Sequence, residues 1–224
     1  MFARPLSLLA LPALLVFAQV QAKDLALKID YNSTATGADG ITRTTRYSDK
    51  LIRRDNDSWF ARVLPPHAHD DDEHAKGGKG HKHLDTTAAA RWVTRQEDGK
   101  LQVRLVSTHE KIIIDTPKAE YSNIGFDGDW NTASQLISTE QVKKMKALDT
   151  VAPAGSRWYE TRRGNLTVRV LWDERQEFPR KIESASANGL YRSAVTATPQ
   201  AMPSALPWTQ LKGYGRKEYT DFLD

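Results

Sequence analysis

The stretch from Asn165 to Trp172 reads Asn-Leu-Thr-Val-Arg-Val-Leu-Trp and gives the clearest indication of the fold class. Apolar residues stand at every second position, and Thr167 and Arg169 lie between them. The apolar positions of this alternating set are Leu166, Val168, Val170 and Trp172. Successive side chains of a β-strand point to opposite faces of its sheet, so this spacing predicts a strand with one buried face and one exposed face.

The same period of two recurs on both sides of this stretch. Further strands are predicted at 24–31, 41–47, 58–64, 101–107, 111–116, 157–161, 180–184 and 190–198. Turn sequences that contain glycine separate several of them, at 37–40, 98–99, 163–165 and 188–189. The pattern predicts a mainly β fold: a single curved antiparallel sheet, or half-barrel, of about 8–11 strands, with one or a few short helices covering its concave face.

One segment has helical spacing. Ser138 and Gln141 fit a capping box, in which the serine side chain accepts a hydrogen bond from the backbone of the residue three positions later. Val142, Met145 and Leu148 then recur at the spacing of one helix face. We therefore expect a short helix that begins after Ser138 and runs through Leu148.

Residues 1–22 have the features of a secretory signal peptide. Arg4 supplies a positive charge, an apolar run extends from Leu6 to Phe17, and Val20-Gln21-Ala22 forms a small-residue cleavage site before Lys23. The apolar run is well short of the roughly 20 residues that a membrane-spanning helix needs. We expect residues 1–22 to be removed on export and residues 23–224 to form a single β-rich domain in the periplasm, soluble and not membrane-spanning.

Composition narrows the class of protein further. The chain has no cysteine, so an exported domain of this kind depends on its apolar core and not on disulfides. Its formal charge of +4 is small for 224 residues, and basic and acidic side chains alternate along most of the chain. A nucleic-acid-binding surface concentrates positive charge, so nucleic acid is set aside as a partner.

Five of the six histidines lie in one hydrophilic segment, residues 65–85, which is also rich in aspartate and glycine. Imidazole and carboxylate groups are suitable ligands for Zn, Cu(II) and Ni(II). Glycines at 77, 78 and 80 would let the chain fold back, so that two His-x-His pairs reach one ion. The candidate ligands are His67, His69, Asp70, His74, His81 and His83. The composition predicts a flexible loop that binds a divalent transition metal.

Two simpler interpretations apply to the histidines. Residues 65–85 could be a hydrophilic insertion between two strands that serves solubility alone, although such a loop would still bind metal weakly. His109, beside Glu110 at a strand boundary, is interpreted as an ordinary strand histidine and not as a ligand.

No catalytic motif is complete. Residues 127–131 begin like a calcium-binding loop, but Thr132 replaces the required glycine and Ser138 replaces the bidentate glutamate. Residues 77–80 lack the spacing of a phosphate-binding loop, and the chain has neither a Gly-x-Ser-x-Gly sequence nor a cysteine nucleophile. We expect a non-enzymatic protein, although a glycosidase pair among the 28 acidic residues stays open.

Six tryptophans are many for a chain of this length. They lie at positions 59, 92, 130, 158, 172 and 208. Most are expected in the core, because large aromatic side chains are generally well buried. The alternative is that some line the concave face and contact an apolar ligand.

Parts of the chain resemble the superfamily of outer-membrane lipoprotein-sorting carriers and the related sensor domains. Residues 170–174, which end Trp-Asp-Glu, and the following segment 178–184 are similar to the late hairpin of that fold. Residues 45–54 are similar to its first hairpins, and 207–224 look like the tail of one branch of envelope proteins. The resemblance implies a strongly bent half-barrel whose concave face is closed by helices and holds lipid.

Two function classes follow. In the first, the protein binds or delivers Zn, Cu or Ni through residues 65–85, and the sheet is a scaffold with an envelope protein as recipient. In the second, it is a carrier of lipid or lipoprotein, or an envelope sensor, which uses an apolar concave face while the loop is incidental. An enzyme built on the histidines is disfavoured, because a flexible loop holds reacting groups poorly in place.

Overall fold

The structure is a computed structural model that describes residues 24–64 and 88–222. The segment predicted to be a signal peptide and the histidine-rich segment 65–85 lie outside the described residues. Both assignments therefore stay predictions.

The described residues form twelve strands in one sheet. The strands are β1 (Leu25–Thr36), β2 (Thr42–Arg54), β3 (Asp57–Arg62), β4 (Ala90–Arg95), β5 (Leu101–Ser107), β6 (Ile112–Thr116), β7 (Lys146–Ala147), β8 (Ser156–Arg163), β9 (Leu166–Asp173), β10 (Phe178–Ser186), β11 (Tyr191–Pro199) and β12 (Gly215–Glu218). The predicted turns are confirmed, since residues 37–40, 98–99, 163–165 and 188–189 each connect two consecutive strands.

The strand order is β12-β6-β5-β4-β3-β2-β1-β11-β10-β9-β8-β7. β1 lies inside the sheet, because it pairs with β2 on one side and with β11 on the other. All neighbouring strands are antiparallel except β12, which pairs parallel to β6. The sheet is open, with β12 and β7 at its two ends. The predicted fold class is confirmed, with that single parallel pair as a departure.

Three strands were not predicted, for identifiable reasons. β4 has apolar side chains on both faces, at Trp92 and Val93, because each face of the sheet is covered there, and its sequence does not alternate. β7 has only two residues, and β12 consists of four exposed residues. Neither contains enough apolar residues to show a period.

The helices are short. The α-helices are α1 (Trp130–Gln135) and α2 (Thr139–Lys143), and single 3₁₀ turns lie at Lys118–Glu120, Ser122–Ile124, Pro207–Gln210 and Tyr219–Phe222. The predicted cap is confirmed, because the backbone N–H of Gln141 donates to Ser138 Oγ at 3.1 Å. The predicted length is wrong: α2 ends at Lys143, since the chain then pairs with β8 as β7. α1 was not predicted, and it begins where the calcium-loop motif was rejected.

Both α-helices pack on the same face of the sheet, which we call the inner face. Ser58 Oγ donates to the carbonyl of Ala133 in α1 at 2.6 Å, and buried Arg53 donates to Gln135 Oε1 at 3.3 Å. Val142 of α2 packs on Val170 and Trp172 of β9. No helix of the described residues is long and apolar enough to span a membrane.

The opposite face, the outer face, is covered in part by the segment that leads to β12. Trp208, Leu211 and Tyr214 of this segment pack against a core cluster that contains Trp59 and Ile113. Trp59 and Trp172 are buried, and Trp92, Trp130 and Trp208 pack against core clusters. The expectation that most tryptophans belong to the core is confirmed.

Candidate ligand-binding site

The predicted metal ligands cannot be placed relative to one another. His67, His69, Asp70, His74, His81 and His83 all lie outside the described residues. Within 24–64 and 88–222, no group of three or more His, Cys, Asp or Glu side chains is positioned to hold a metal ion. His109 is exposed in the turn between β5 and β6, so it is not an interior strand residue.

The position of the histidine-rich segment in the chain is nevertheless informative. β3 and β4 are neighbours in the sheet, with Phe60 opposite Arg91, so residues 65–87 connect two paired strands. Arg62 is the last residue of β3 and Ala89 is the residue before β4, and both line a cavity on the inner face. The described residues at which β3 ends and β4 is approached therefore both lie at this cavity.

The cavity has a volume of about 330 Å³. It lies between the strands β2 to β5 and the 3₁₀ turn at Ser122–Ile124. Its walls include Asp49, Phe60, Arg62, Arg91 and Leu105. Two arginines and one aspartate give the cavity a net positive charge.

The ion pair of this cavity joins β2 to β3. Arg62 Nε donates to Asp49 Oδ1 at 2.6 Å, and the Asp49 side chain is 4% exposed against 33% for Arg62. Burial raises the pKa of Asp49, and the hydrogen bond from Arg62 opposes that rise. Arg62 therefore holds the carboxylate in place and leaves little of its own charge uncompensated.

Two stacked tyrosines continue the site along the inner face. The ring centroids of Tyr31 and Tyr47 are 4.4 Å apart, and the Arg62 guanidinium carbon lies 3.8 Å from the Tyr47 centroid. Burial, followed by the nearby charge of Asp49, raises the pKa of both phenols. The two tyrosines stay neutral at physiological pH and offer aromatic surface next to a cation.

Arg91 is held differently from Arg62. Its guanidinium carbon lies 5.3 Å from the ring centroid of Phe60 and 5.0 Å from that of Phe126. Its hydrogen bond to the carbonyl of Gly125 is long, at 3.5 Å, and its buried Nε has no partner among the described residues. No carboxylate of the described residues lies within ion-pair distance of it; burial lowers its pKa, and the more distant charge of Asp127 opposes that change. Arg91 thus brings a positive charge into the cavity that aromatic rings compensate only in part.

A row of apolar side chains extends from this cavity across six strands. The register places Tyr47, Tyr31, Val195, Ile182, Val170 and Tyr159 side by side, from β2 to β8. We call this set the apolar row. Val170 is buried beneath α2, whereas the other five side chains are half-buried. The row is therefore apolar surface that the described helices leave partly open.

The inner face changes character on either side of the apolar row. The next register towards the β1–β2 turn carries hydroxyl side chains, with Ser33 opposite both Thr45 and Ser193. The register on the other side contains Ile29 and Ala197, which belong to the buried core. The apolar row thus lies between a packed core and a polar margin, as the floor of a site for an elongated apolar ligand would.

Two other hollows do not contact the apolar row. One, of about 630 Å³, is lined mainly by outer-face polar residues such as Arg169, Glu183 and Arg192. The other, of about 840 Å³, lies near the β4–β5 turn and includes Lys100 and Arg216. Both have charged side chains in their walls, and no member of the apolar row lines either of them.

The sequence did not identify the residues of this site. Asp49, Arg62 and Arg91 occupy inward positions of three different strands, and they meet only because β2, β3 and β4 are neighbours. The one available signal is that Asp49 stands between Tyr47 and Leu51 at the spacing of a single strand face. A charge on a half-apolar face indicates a buried pair or a site, but it does not name the partner.

No family model and no curated protein matches the sequence. Among solved structures, the chain is similar to a conserved protein from Thermus thermophilus, at 8% identity and a TM-score of 0.42 over 87% of this chain and 90% of the other. It is also similar to a putative outer membrane lipoprotein-sorting protein domain from Vibrio parahaemolyticus (10% identity, TM-score 0.33, coverage 84% and 89%). A third similar structure is a LolA superfamily protein from Nitrosomonas europaea (9% identity, TM-score 0.33, coverage 81% of this chain and 88% of the other). The second and third of these structures bear names from the superfamily that the sequence resembles.

Proposed function

We propose that this protein is a non-enzymatic carrier or sensor of the cell envelope that binds the acyl chain of a lipid or lipoprotein along the apolar row. The observation that carries this proposal is the continuity of the row. Four half-buried apolar side chains are adjacent in one register of the sheet and end at a cavity: Tyr47, Tyr31, Val195 and Ile182. A contiguous apolar surface costs free energy while it contacts water, and an acyl chain that covers it recovers that cost.

The shape of the site favours an elongated ligand. Neighbouring strands lie about 4.8 Å apart, so the row from Tyr47 on β2 to Ile182 on β10 spans about 14 Å. This extent fits an extended hydrocarbon chain better than a compact molecule. The predicted signal peptide at residues 1–22 supports a periplasmic location, where lipids and lipoproteins are available as ligands.

Replacing Val195 with glutamate tests the proposal directly. Val195 lies in the middle of the apolar row, so a carboxylate there would have to lose water when an acyl chain binds. We expect the affinity for a fluorescent long-chain fatty acid or a short-chain phospholipid to fall at least tenfold, about 1.4 kcal/mol. Fluorescence titration of the purified protein measures this.

The matched control is Thr196→Glu. Thr196 is also β-branched and is next to Val195 on β11, but it is exposed on the outer face. This variant should bind as the unchanged protein does, and thermal unfolding should show that both variants are folded. Equal affinities of the two variants, or no binding of any lipid by the unchanged protein, would rule out the apolar row as the binding surface.

A metal-binding role for residues 65–85 is the second candidate function, supported by the concentration of five histidines in one segment. We expect calorimetric titration with Zn(II), Cu(II) or Ni(II) to reveal stoichiometric binding. Changing His67, His69, His74, His81 and His83 to alanine should weaken it at least tenfold, because imidazoles are the main ligands proposed for the ion.

The matched control for the metal prediction is His109→Ala, which removes the one histidine outside the segment. It should bind metal as the unchanged protein does. Lipid binding by the five-alanine variant separates the two roles, since the carrier function proposed here does not need the histidines. Weak metal binding that is the same with and without the five histidines would leave the segment a hydrophilic insertion.

A further inference from the structure

The positive charge of Arg91 is only partly compensated by the groups around it. Desolvating a cation is costly, and proteins usually compensate a buried guanidinium with a carboxylate or with several hydrogen-bond acceptors. Arg91 is half-buried, and among the described residues it has two aromatic rings, one long hydrogen bond to Gly125 and a buried Nε without a partner. Two carboxylates act on Arg91 from a distance: Asp127 is exposed and forms no ion pair with it, and Asp49, in the cavity wall, is already bonded to Arg62. An anion that entered the cavity would supply Arg91 with a negative charge and with hydrogen-bond acceptors at short distance.

The cavity and the apolar row form one continuous surface. Arg62 lines the cavity and also lies over the ring of Tyr47, the first member of the row. Tyr47 stacks on Tyr31, from which the row continues to Val195. A ligand with its polar end in the cavity could therefore extend its chain along the row without crossing a polar barrier.

We propose that Arg91 binds the anionic group, a carboxylate or a phosphate, of an amphiphile whose acyl chain lies on the apolar row. This inference rests on the proposed function and makes it more specific, because it selects anionic over neutral lipids. Guanidinium groups bind carboxylate and phosphate oxygens through parallel N–H donors, and a site with little water strengthens that contact. The Phe60 and Phe126 rings border the guanidinium, with 5.3 and 5.0 Å between its carbon and the two ring centroids.

Calorimetric titration with laurate, 1-dodecanol and inorganic phosphate tests this inference, because the first two probes share a chain length and differ in charge. The unchanged protein should bind laurate at least tenfold more tightly than dodecanol. Arg91→Gln should abolish this preference, and Arg91→Lys should retain part of it. The control for charge alone is Arg46→Gln, which removes an exposed arginine beside Tyr47 and should keep the full preference. Thermal unfolding shows whether each variant is folded.

Each alternative result overturns a specific step. Equal binding of laurate and dodecanol by the unchanged protein, or a preference that persists in Arg91→Gln, overturns the role of Arg91 but leaves the proposed function in place. Binding of phosphate that depends on Arg91, without binding of either amphiphile, identifies a free anion as the ligand and overturns the lipid function. Absence of binding by all three probes overturns both.

Discussion

Replacing Phe178 with alanine is expected to lower the free energy of unfolding by about 4 kcal/mol, the usual cost of removing a buried aromatic ring. Phe178 is fully buried at the start of β10. It packs in the cluster that contains Leu27 and Ile29 of β1 and Leu51 of β2. Its loss would leave a cavity between the N-terminal and C-terminal parts of the sheet. Denaturant unfolding followed by tryptophan fluorescence measures the change.

The control is Tyr191→Ala, which removes an aromatic side chain that is 37% exposed at the start of β11. Its effect should stay below about 1 kcal/mol, because partly exposed side chains make fewer contacts that the unfolded state lacks. Similar values for the two variants would contradict the assignment of Phe178 to the core that joins β10 to β1 and β2.

The sequence predicts best the strands that have one face covered by the core and the other exposed. Residues 165–172 alternate because Val168 and Val170 contribute to the inner-face cluster under α2, whereas Arg169 is exposed on the other face. The prediction of β9 was therefore correct to within one residue at each end. β4 was not predicted, because both of its faces are covered and its apolar residues therefore do not alternate with polar ones.

The candidate site could not be predicted, for a different physical reason. Asp49 and Arg62 are 13 residues apart, and Arg91 lies beyond the histidine-rich segment, so their contacts depend on strand pairing. The apolar row likewise takes its members from six strands and exists only in the register of the folded sheet. In contrast, the metal-binding prediction uses residues close together in the sequence, which is why composition alone suggests it.

The late hairpin, which carried the family resemblance, has a second role in positioning the site. Arg180 is an additional residue in β10, since the register shifts between Pro179 and Lys181. A bulge of this kind determines which side chains in the rest of the same strand face inwards. Beyond it, Ile182 lies opposite Val195 and Val170 and thereby belongs to the apolar row.

Replacing Asp173 with alanine should therefore affect both stability and binding. The Asp173 side chain is 4% exposed; it accepts hydrogen bonds from the backbone N–H groups of Arg175 and Gln176 at 3.0 and 2.8 Å. It also accepts from Arg180 Nε and Nη2 at 2.9 and 2.6 Å. Removing one partner of a buried ion pair leaves polar groups unsatisfied, so we expect a loss of about 3 kcal/mol in the free energy of unfolding.

Glu174→Ala is the matched control, because Glu174 is the next residue, carries the same charge and is exposed. Its side chain accepts a hydrogen bond from the Tyr159 hydroxyl at 3.2 Å, so its replacement should cost less than about 1 kcal/mol. At a temperature where both variants are folded, only Asp173→Ala should also weaken fatty-acid binding, because the bulge that places Ile182 in the apolar row has lost its anchor. If Asp173→Ala were destabilised but bound fatty acid normally, the bulge would be dispensable for the row, and Ile182 would keep its position through strand pairing alone.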